Sequence, residues 1–166
     1  MSETYDEIIE GETVWRHGPD ERHEQICERL HLSLFPCVSN LDSTRLLTPR
    51  SAIEFAPNQV FRPDLTLVAT ATQKPWLVAE VIDSRDHRTD TVTKKSLYED
   101  LRLPRLWMVD PRYHNVEVYH GTRYGLSLRE ILALRDVLTE KLLPGFELKL
   151  AALFAEEGEG NVKRKA

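Results

Sequence analysis

Hydrophobic and polar positions along the chain change period several times, and each change predicts a new element. Trp76-Leu77-Val78-Ala79-Glu80-Val81-Ile82-Asp83 is an apolar run of strand length with one carboxylate inside it and another at its exit. Period-two alternation places Trp76, Val78, Glu80 and Ile82 on one face and Leu77, Ala79, Val81 and Asp83 on the other. Val60 to Thr70 predicts a second strong strand, whose ladder starts at or just after Asp64 because Pro63 has no N–H to give. Leu106-Trp107-Met108-Val109 is nearly all apolar, as expected of a strand buried on both faces, and Asp110-Pro111 closes it. Thr13 to Arg16, Ser51 to Ala56 and Val116 to Tyr119 read as shorter strands, with a turn at Pro57-Asn58.

Elsewhere the spacing is helical. From Glu21 to about Leu34, Ile26, Cys27, Leu30 and Leu34 recur at helical intervals behind Asp20 as a cap, and Pro36 is expected to end the helix. His23 lies on the same stripe. A second helix is expected from about Thr91 to Leu101, stopped by Pro104. Ile8 and Ile9, set among acids before Gly11, predict a short helix over residues 3–11 with a glycine at its end. A weak segment from Ser127 to Leu132, then Val137-Leu138 and the stretch Leu143 to Leu150, precede a last helical turn at Ala151 to Phe154. The order predicts an α/β (α+β) domain over residues 1–155: a mixed sheet of about five strands flanked by helices. Residues 156–166 read as a charged, disordered tail.

Composition narrows the classes. The 166 residues carry 22 Lys and Arg against 27 Asp and Glu, a net charge of −5. That excess of acid argues against generic polyanion binding and leaves room only for a local basic groove. Cys27 and Cys37 form no metal-type doublet, so reduced thiols in a cytoplasmic protein are expected. The acidic start has no signal-peptide core, and no apolar run reaches membrane-spanning length, so no membrane association is expected.

The candidate chemistry gathers around Glu80. A buried carboxylate without a partner costs several kcal/mol, on the order of the desolvation penalty, so Glu80 needs a cation, a proton or a metal. Asp64 leads the preceding strand, and a short connection makes the two strands neighbours, so two carboxylates meet on one face. Magnesium suits such a pair. On the following helix Leu97, Tyr98 and Leu101 draw the apolar face, and one turn back along it lies Lys94. Lys95 instead faces Glu99 and Arg102 on the solvent side. A lysine at position 94 can polarise a phosphate or position a water. The bland readings are turn chemistry for Pro63-Asp64, a structural ion pair for Glu80 and Lys94, a core histidine for His23, and solvated loop charges for Arg85 and Arg88.

Arg62-Pro63-Asp64 with its strand, Leu77 to Ile82, Thr89-Asp90, Lys94, Tyr98 and Leu106 to Asp110 together resemble the Uma-two family of bacterial endonucleases, within the PD-(D/E)xK nuclease superfamily. Glu7, Gly11, His23 and Leu143-Pro144-Gly145-Phe146 extend the likeness to roughly residues 5–155. The resemblance implies a restriction-endonuclease-like fold and a phosphodiesterase site using Mg2+ (or Mn2+) on nucleic acid, with DNA as the superfamily's substrate. Asp64 and Glu80 would be the metal ligands, Lys94 the catalytic lysine, and Glu7 and His23 accessory positions. The superfamily's usual lysine position, two residues after the acid, holds Ile82 here. Asp83-Ser84 stands where the family shows Ser-Pro, so Asp83 is either a further metal or water ligand or a change to the loop.

Three readings follow: a metal-dependent endonuclease, a catalytically silent nuclease fold that binds nucleic acid or protein, and a hydrolase of some other phosphate ester. A homodimer is compatible with the sequence, although no heptad or apolar patch demands one.

Overall fold

Glu10 and Gly11 both adopt positive φ, 52° and 82°, which is the backbone of a two-residue hairpin turn. They join β1 (Tyr5–Ile9) to β2 (Glu12–Arg16), paired antiparallel with Ile9 opposite Glu12. The helix expected over residues 3–11 is therefore a hairpin. Glu7 and Ile9 alternate inward, and the Gly11 N–H donates to the Asn58 carbonyl at 3.0 Å.

Asp20 caps α1 (Glu21–Ser39), its carboxylate accepting the His23 N–H at 2.8 Å. The helix continues past Pro36, against the expected stop. Pro36 lies on the exposed side of the final turns, where its missing N–H costs least, and its carbonyl accepts from Ser39 Oγ and Asn40 Nδ2. Ile26, Leu30, Leu34 and Val38 form the buried stripe.

The computed structural model describes residues 3–86 and 89–156. Most of the expected tail and Arg88 lie outside the described residues. After β3 (Thr44–Leu46) come β4 (Ile53–Ala56), β5 (Gln59–Phe61), β6 (Leu65–Ala69) and β7 (Pro75–Val81). A π-helical turn over Thr89–Lys94 runs into α2 (Lys95–Asp100). Then follow β8 (Arg105–Asp110), β9 (Asn115–Thr122), β10 (Gly125–Leu132), β11 (Val137–Thr139), β12 (Glu147–Lys149) and α3 (Leu150–Leu153). No helix among the described residues is long and apolar enough to cross a membrane.

The fold is of the α+β class, with one large mixed sheet in the order β10-β9-β8-β7-β6-β3. Among the described residues only β7 and β8 pair in parallel, joined by the segment that carries α2. The sheet has six strands instead of about five, and there is a second sheet in the order β2-β1-β5-β4. The run read as one strand from Val60 to Thr70 is split at Arg62-Pro63-Asp64: β5 serves the small sheet and β6 the large one. One face of the large sheet packs Leu65, Leu67, Leu77, Ala79 and Val81 against α1. The other packs Val78, Ile82, Leu106 and Met108 against Leu97, Tyr98 and Phe61. Trp76 leaves the face that alternation gives it, because a bulge opposite Leu67 and Val68 turns it toward the α1 side.

Candidate functional site

The antiparallel register of β6 and β7 pairs Leu65 with Ala79, so Asp64 comes next to Glu80 where the two strands emerge. Pro63 ends the approach, and Asp64 takes over the ladder with its side chain: its Oδ2 accepts the Val81 N–H at 2.8 Å. Its Oδ1 accepts from His23 Nε2 at 2.8 Å and from Arg50 Nη1 at 3.2 Å. Asp64 thus sits at the sheet's end, 2% exposed, tied to α1 on one side and to β7 on the other.

Glu80 reaches the segment that carries α2. Its Oε1 accepts from Lys94 Nζ at 2.6 Å and from the Tyr98 hydroxyl at 2.7 Å. Lys94 is fully buried and bridges two acids, lying 2.8 Å from Glu7 Oε2 as well. Glu7 in turn accepts the Arg62 N–H at 2.6 Å and Arg16 Nη1 at 2.5 Å. Acids from the middle of β1, the start of β6 and the end of β7 therefore gather in one buried electrostatic region, with cations from α1, β2, a loop and the π-helical turn around it.

The protonation of this centre follows from those partners. Burial alone would raise the Asp64 carboxyl, but the charge and hydrogen bond of His23, the Val81 N–H and Arg50 hold it below the usual range. Burial likewise works against Glu7, and Lys94 and Arg16 overcome it to keep that carboxyl low. For His23 burial works to lower the value, and Asp64 overrides it, so the imidazole is held above its ordinary range. The Tyr5 hydroxyl is pushed far up, by burial first and then by Asp64, with Glu80 and Glu7 adding and Arg16 opposing. One hydroxyl therefore feels all three carboxylates. Cys27, pushed up to about 12 by burial and Asp64, is no nucleophile at neutral pH.

Among the residues singled out by pattern or resemblance, Glu7, Glu80 and Lys94 are in direct contact, and His23 and Asp64 form the adjoining pair. Asp83 is turned to its own loop: Oδ2 takes Arg85 Nη2 at 2.6 Å and Oδ1 takes the Arg85 N–H at 2.9 Å. Lys95 is half-buried, with Nζ 4.4 Å from the Tyr119 ring centroid. Arg16, Arg50, Tyr5 and the Tyr98 hydroxyl complete the centre without having been singled out as site residues. Arg16 closes a short strand directly after Val14 and Trp15, and Arg50 follows a proline in a turn with φ 57°; neither carries a local signal. His23 Nδ1 is buried with no hydrogen-bond partner among the described residues.

Chemically, the pair Asp64 and Glu80 offers hard oxygen donors of the kind a magnesium ion takes, one or two carboxylates with water and phosphate oxygens completing the shell. Among the described residues there is no group of three or more His, Cys, Asp or Glu side chains arranged to hold a metal. Two carboxylates are within the usual magnesium complement, so the donor types suit that ion.

The family sequence model described as "Uma2: Putative restriction endonuclease" matches residues 3–151. No curated protein matches the chain. Among solved structures, "a putative nuclease belonging to DUF820 from Anabaena variabilis ATCC 29413" superposes with a TM-score of 0.75 at 15% identity, covering 90% of this chain and 89% of that one. The type IIG restriction endonuclease BpuSI gives a TM-score of 0.46 at 10% identity, over 76% of this chain and 16% of that one.

Proposed function

We propose, for a chain that belongs to the Uma2 family of restriction-endonuclease-like proteins, that it hydrolyses phosphodiester bonds of nucleic acid, DNA first, at the Asp64–Glu80–Lys94 centre. The observation that supports this reading is the register of β6 and β7, which sets Asp64 beside Glu80 while the Lys94 ammonium lies 2.6 Å from Glu80. Asp64 and Glu80 would hold a divalent cation, magnesium or manganese. Such an ion supplies Lewis-acid stabilisation of phosphate charge and activates the attacking water.

The remaining roles belong to the chain's own groups. His23 and Arg50 keep Asp64 ionised at neutral pH. Lys94 places a positive charge beside Glu80, where it can stabilise charge that builds on a phosphate oxygen. It reaches the site from a helical turn, which accounts for Ile82 in the strand position where the superfamily carries its lysine. Glu7 positions Lys94, and Arg16 keeps Glu7 charged. Asp83, engaged by Arg85, acts on the loop and does not serve as a metal ligand.

A second reading draws on the completeness of the ion pairing. Asp64, Glu80 and Glu7 each already have cationic partners, as expected of a silent nuclease fold that keeps the centre for stability and binds nucleic acid or protein. Plasmid cleavage in magnesium or manganese separates the two, with wild type run beside Glu80→Gln and Lys94→Ala. The nuclease reading expects cleavage by wild type and none by either variant. Cleavage that survives both substitutions, or wild type that neither cleaves nor binds the metal, refutes it.

A further inference from the structure

A second feature lies at the carboxyl ends of β7 and β8, the parallel pair of the large sheet. Each strand leads into Asp-X-Arg: Asp83-Ser84-Arg85 after β7 and Asp110-Pro111-Arg112 at the end of β8. The two units make the same three hydrogen bonds. Arg85 donates its N–H and its Nε to Asp83 Oδ1, both at 2.9 Å, and Nη2 to Oδ2 at 2.6 Å. Arg112 repeats this on Asp110 at 2.9, 3.1 and 2.9 Å. Each guanidinium is thereby fixed on its own turn, while its side chain stays accessible, 44% for Arg85 and 35% for Arg112. Nη1 of both makes no hydrogen bond among the described residues. A fork held in this way has lost its rotamer freedom before any ligand arrives.

Their surroundings suit a polymer strand. Arg112 lines two adjoining clefts. One, of about 240 Å³, is shared with Arg22, His23 and Asp83; the other, of about 410 Å³, with Lys95, Tyr113 and Tyr119. Ile82 lines both, and it stands two residues after Glu80 on the same face of β7, so the clefts adjoin the buried acids. Arg112 lies over the Tyr113 ring at 5.0 Å, and Tyr113 is 69% exposed. A cation set against one exposed aromatic face is the pairing that single-strand grooves use. The two units leave neighbouring strands, about 4.8 Å apart, with an offset of one residue, about 3.3 Å. Asp83 and Asp110 cancel the charge at long range, so the forks fix where a phosphate rests without drawing polyanions in. That agrees with the net charge of −5.

We propose that the paired Asp-X-Arg turns form the subsite for an unpaired nucleic-acid strand flanking the reacting phosphate. Arg85 and Arg112 each donate to a backbone phosphate, and Tyr113 stacks on an exposed base. This rests on the phosphodiesterase reading above, since it assigns that centre its substrate.

The test is fluorescence anisotropy with a labelled single-stranded DNA oligonucleotide and the matching duplex, in the full chain carrying Glu80→Gln so that no strand is cut. Arg85→Ala and Arg112→Ala are each expected to weaken single-strand binding about tenfold and to lower the salt slope by up to about 0.7. Tyr113→Ala is expected to weaken it by about 5- to 100-fold, with a smaller loss for duplex. Tyr113 is exposed, so this variant keeps the test valid if an arginine variant unfolds. Single-strand affinity within twofold of the parent in the folded variants overturns the inference, as does an equal loss for duplex on Tyr113→Ala. If wild type cleaves and only these binding effects are missing, the subsite fails alone. If the binding effects appear and wild type never cleaves, the phosphodiesterase reading fails and the strand-binding surface stands.

Discussion

Replacing Lys94 by methionine keeps most of the side chain's volume and removes the ammonium between Glu7 and Glu80. Surface ion pairs contribute little, about 0–1 kcal/mol, but that scale does not apply here. The Lys94 and Glu7 side chains are fully buried, and Glu80 is 3% exposed. Removing one partner of a buried pair costs about 3–5 kcal/mol, because the remaining charge stays desolvated. Glu7 keeps Arg16 and the Arg62 N–H, whereas Glu80 loses the cation at 2.6 Å and keeps the Tyr98 hydroxyl. Most of the penalty therefore falls on Glu80. A loss of 3–5 kcal/mol is about two to three and a half orders of magnitude in the folding equilibrium, a large share of the roughly 5–15 kcal/mol available to a domain. The pH dependence identifies the cause. In wild type the lowered Glu7 carboxyl contributes stability above its ordinary value of 4.5, and this is lost as the pH falls. In the variant Glu80 has a raised affinity for a proton, so its penalty is present at high pH and fades on acidification. Urea unfolding followed by circular dichroism should show the widest gap between wild type and variant near pH 8 and a much smaller one near pH 5, since a protonated Glu80 no longer carries a buried charge. Adding Glu80→Gln to Lys94→Met should recover much of the loss. A penalty below about 1 kcal/mol, or a gap that does not change with pH, would refute the reasoning.

Asp64→Asn should destabilise the fold by about 1.5–3 kcal/mol at neutral pH, the range for hydrogen bonds to a charged group. Because the Asp64 carboxyl is held low, wild type should also lose this contribution as the pH falls below the ordinary aspartate value of 3.8, and the variant should show no such step; acid titration of both by circular dichroism checks it. Gly125→Ala should cost about 1 kcal/mol or more, because Gly125 has φ +119°, a backbone that L side chains rarely adopt; a thermal melt within a degree of wild type contradicts it. Isothermal titration with magnesium should show binding by wild type and none by Glu80→Gln if the two carboxylates hold the ion. Equal binding by both places the metal elsewhere.

The sequence was legible where one period held over enough residues. The Ile26-Leu30-Leu34 stripe and the apolar runs of β7 and β8 could be read because their patterns persist and their ends are marked. The first hairpin was misread because Ile8-Ile9 among acids fits either period, and a glycine ends helices as readily as it turns hairpins. With β1 read as a helix and β5 merged into β6, the strands at Thr13 to Arg16 and Ser51 to Ala56 lack the two that join them into the small sheet. Within the centre, Asp64, Glu80 and Lys94 were visible because charges inside apolar patterns require explanation. Arg16, Arg50 and Tyr5 were not, since each owes its place to contacts far along the chain and its own neighbours are ordinary. An α-helical count turns Lys95 away from the buried face, and it carries no signal of the Tyr119 ring that its ammonium meets.

The buried centre takes its groups from positions 7, 16, 23, 50, 64, 80, 94 and 98, so it has no local precursor. A chain emerging from the ribosome has Asp64 and Glu80 well before Lys94 and Tyr98, and it cannot close the network until α2 docks on a sheet whose neighbouring strand, β8, comes later still. A nascent chain that has not yet reached Lys94 and Tyr98 therefore lacks the partners of Glu80. For a protein whose proposed chemistry would damage its host's nucleic acid, this makes completed tertiary structure a built-in safety interlock.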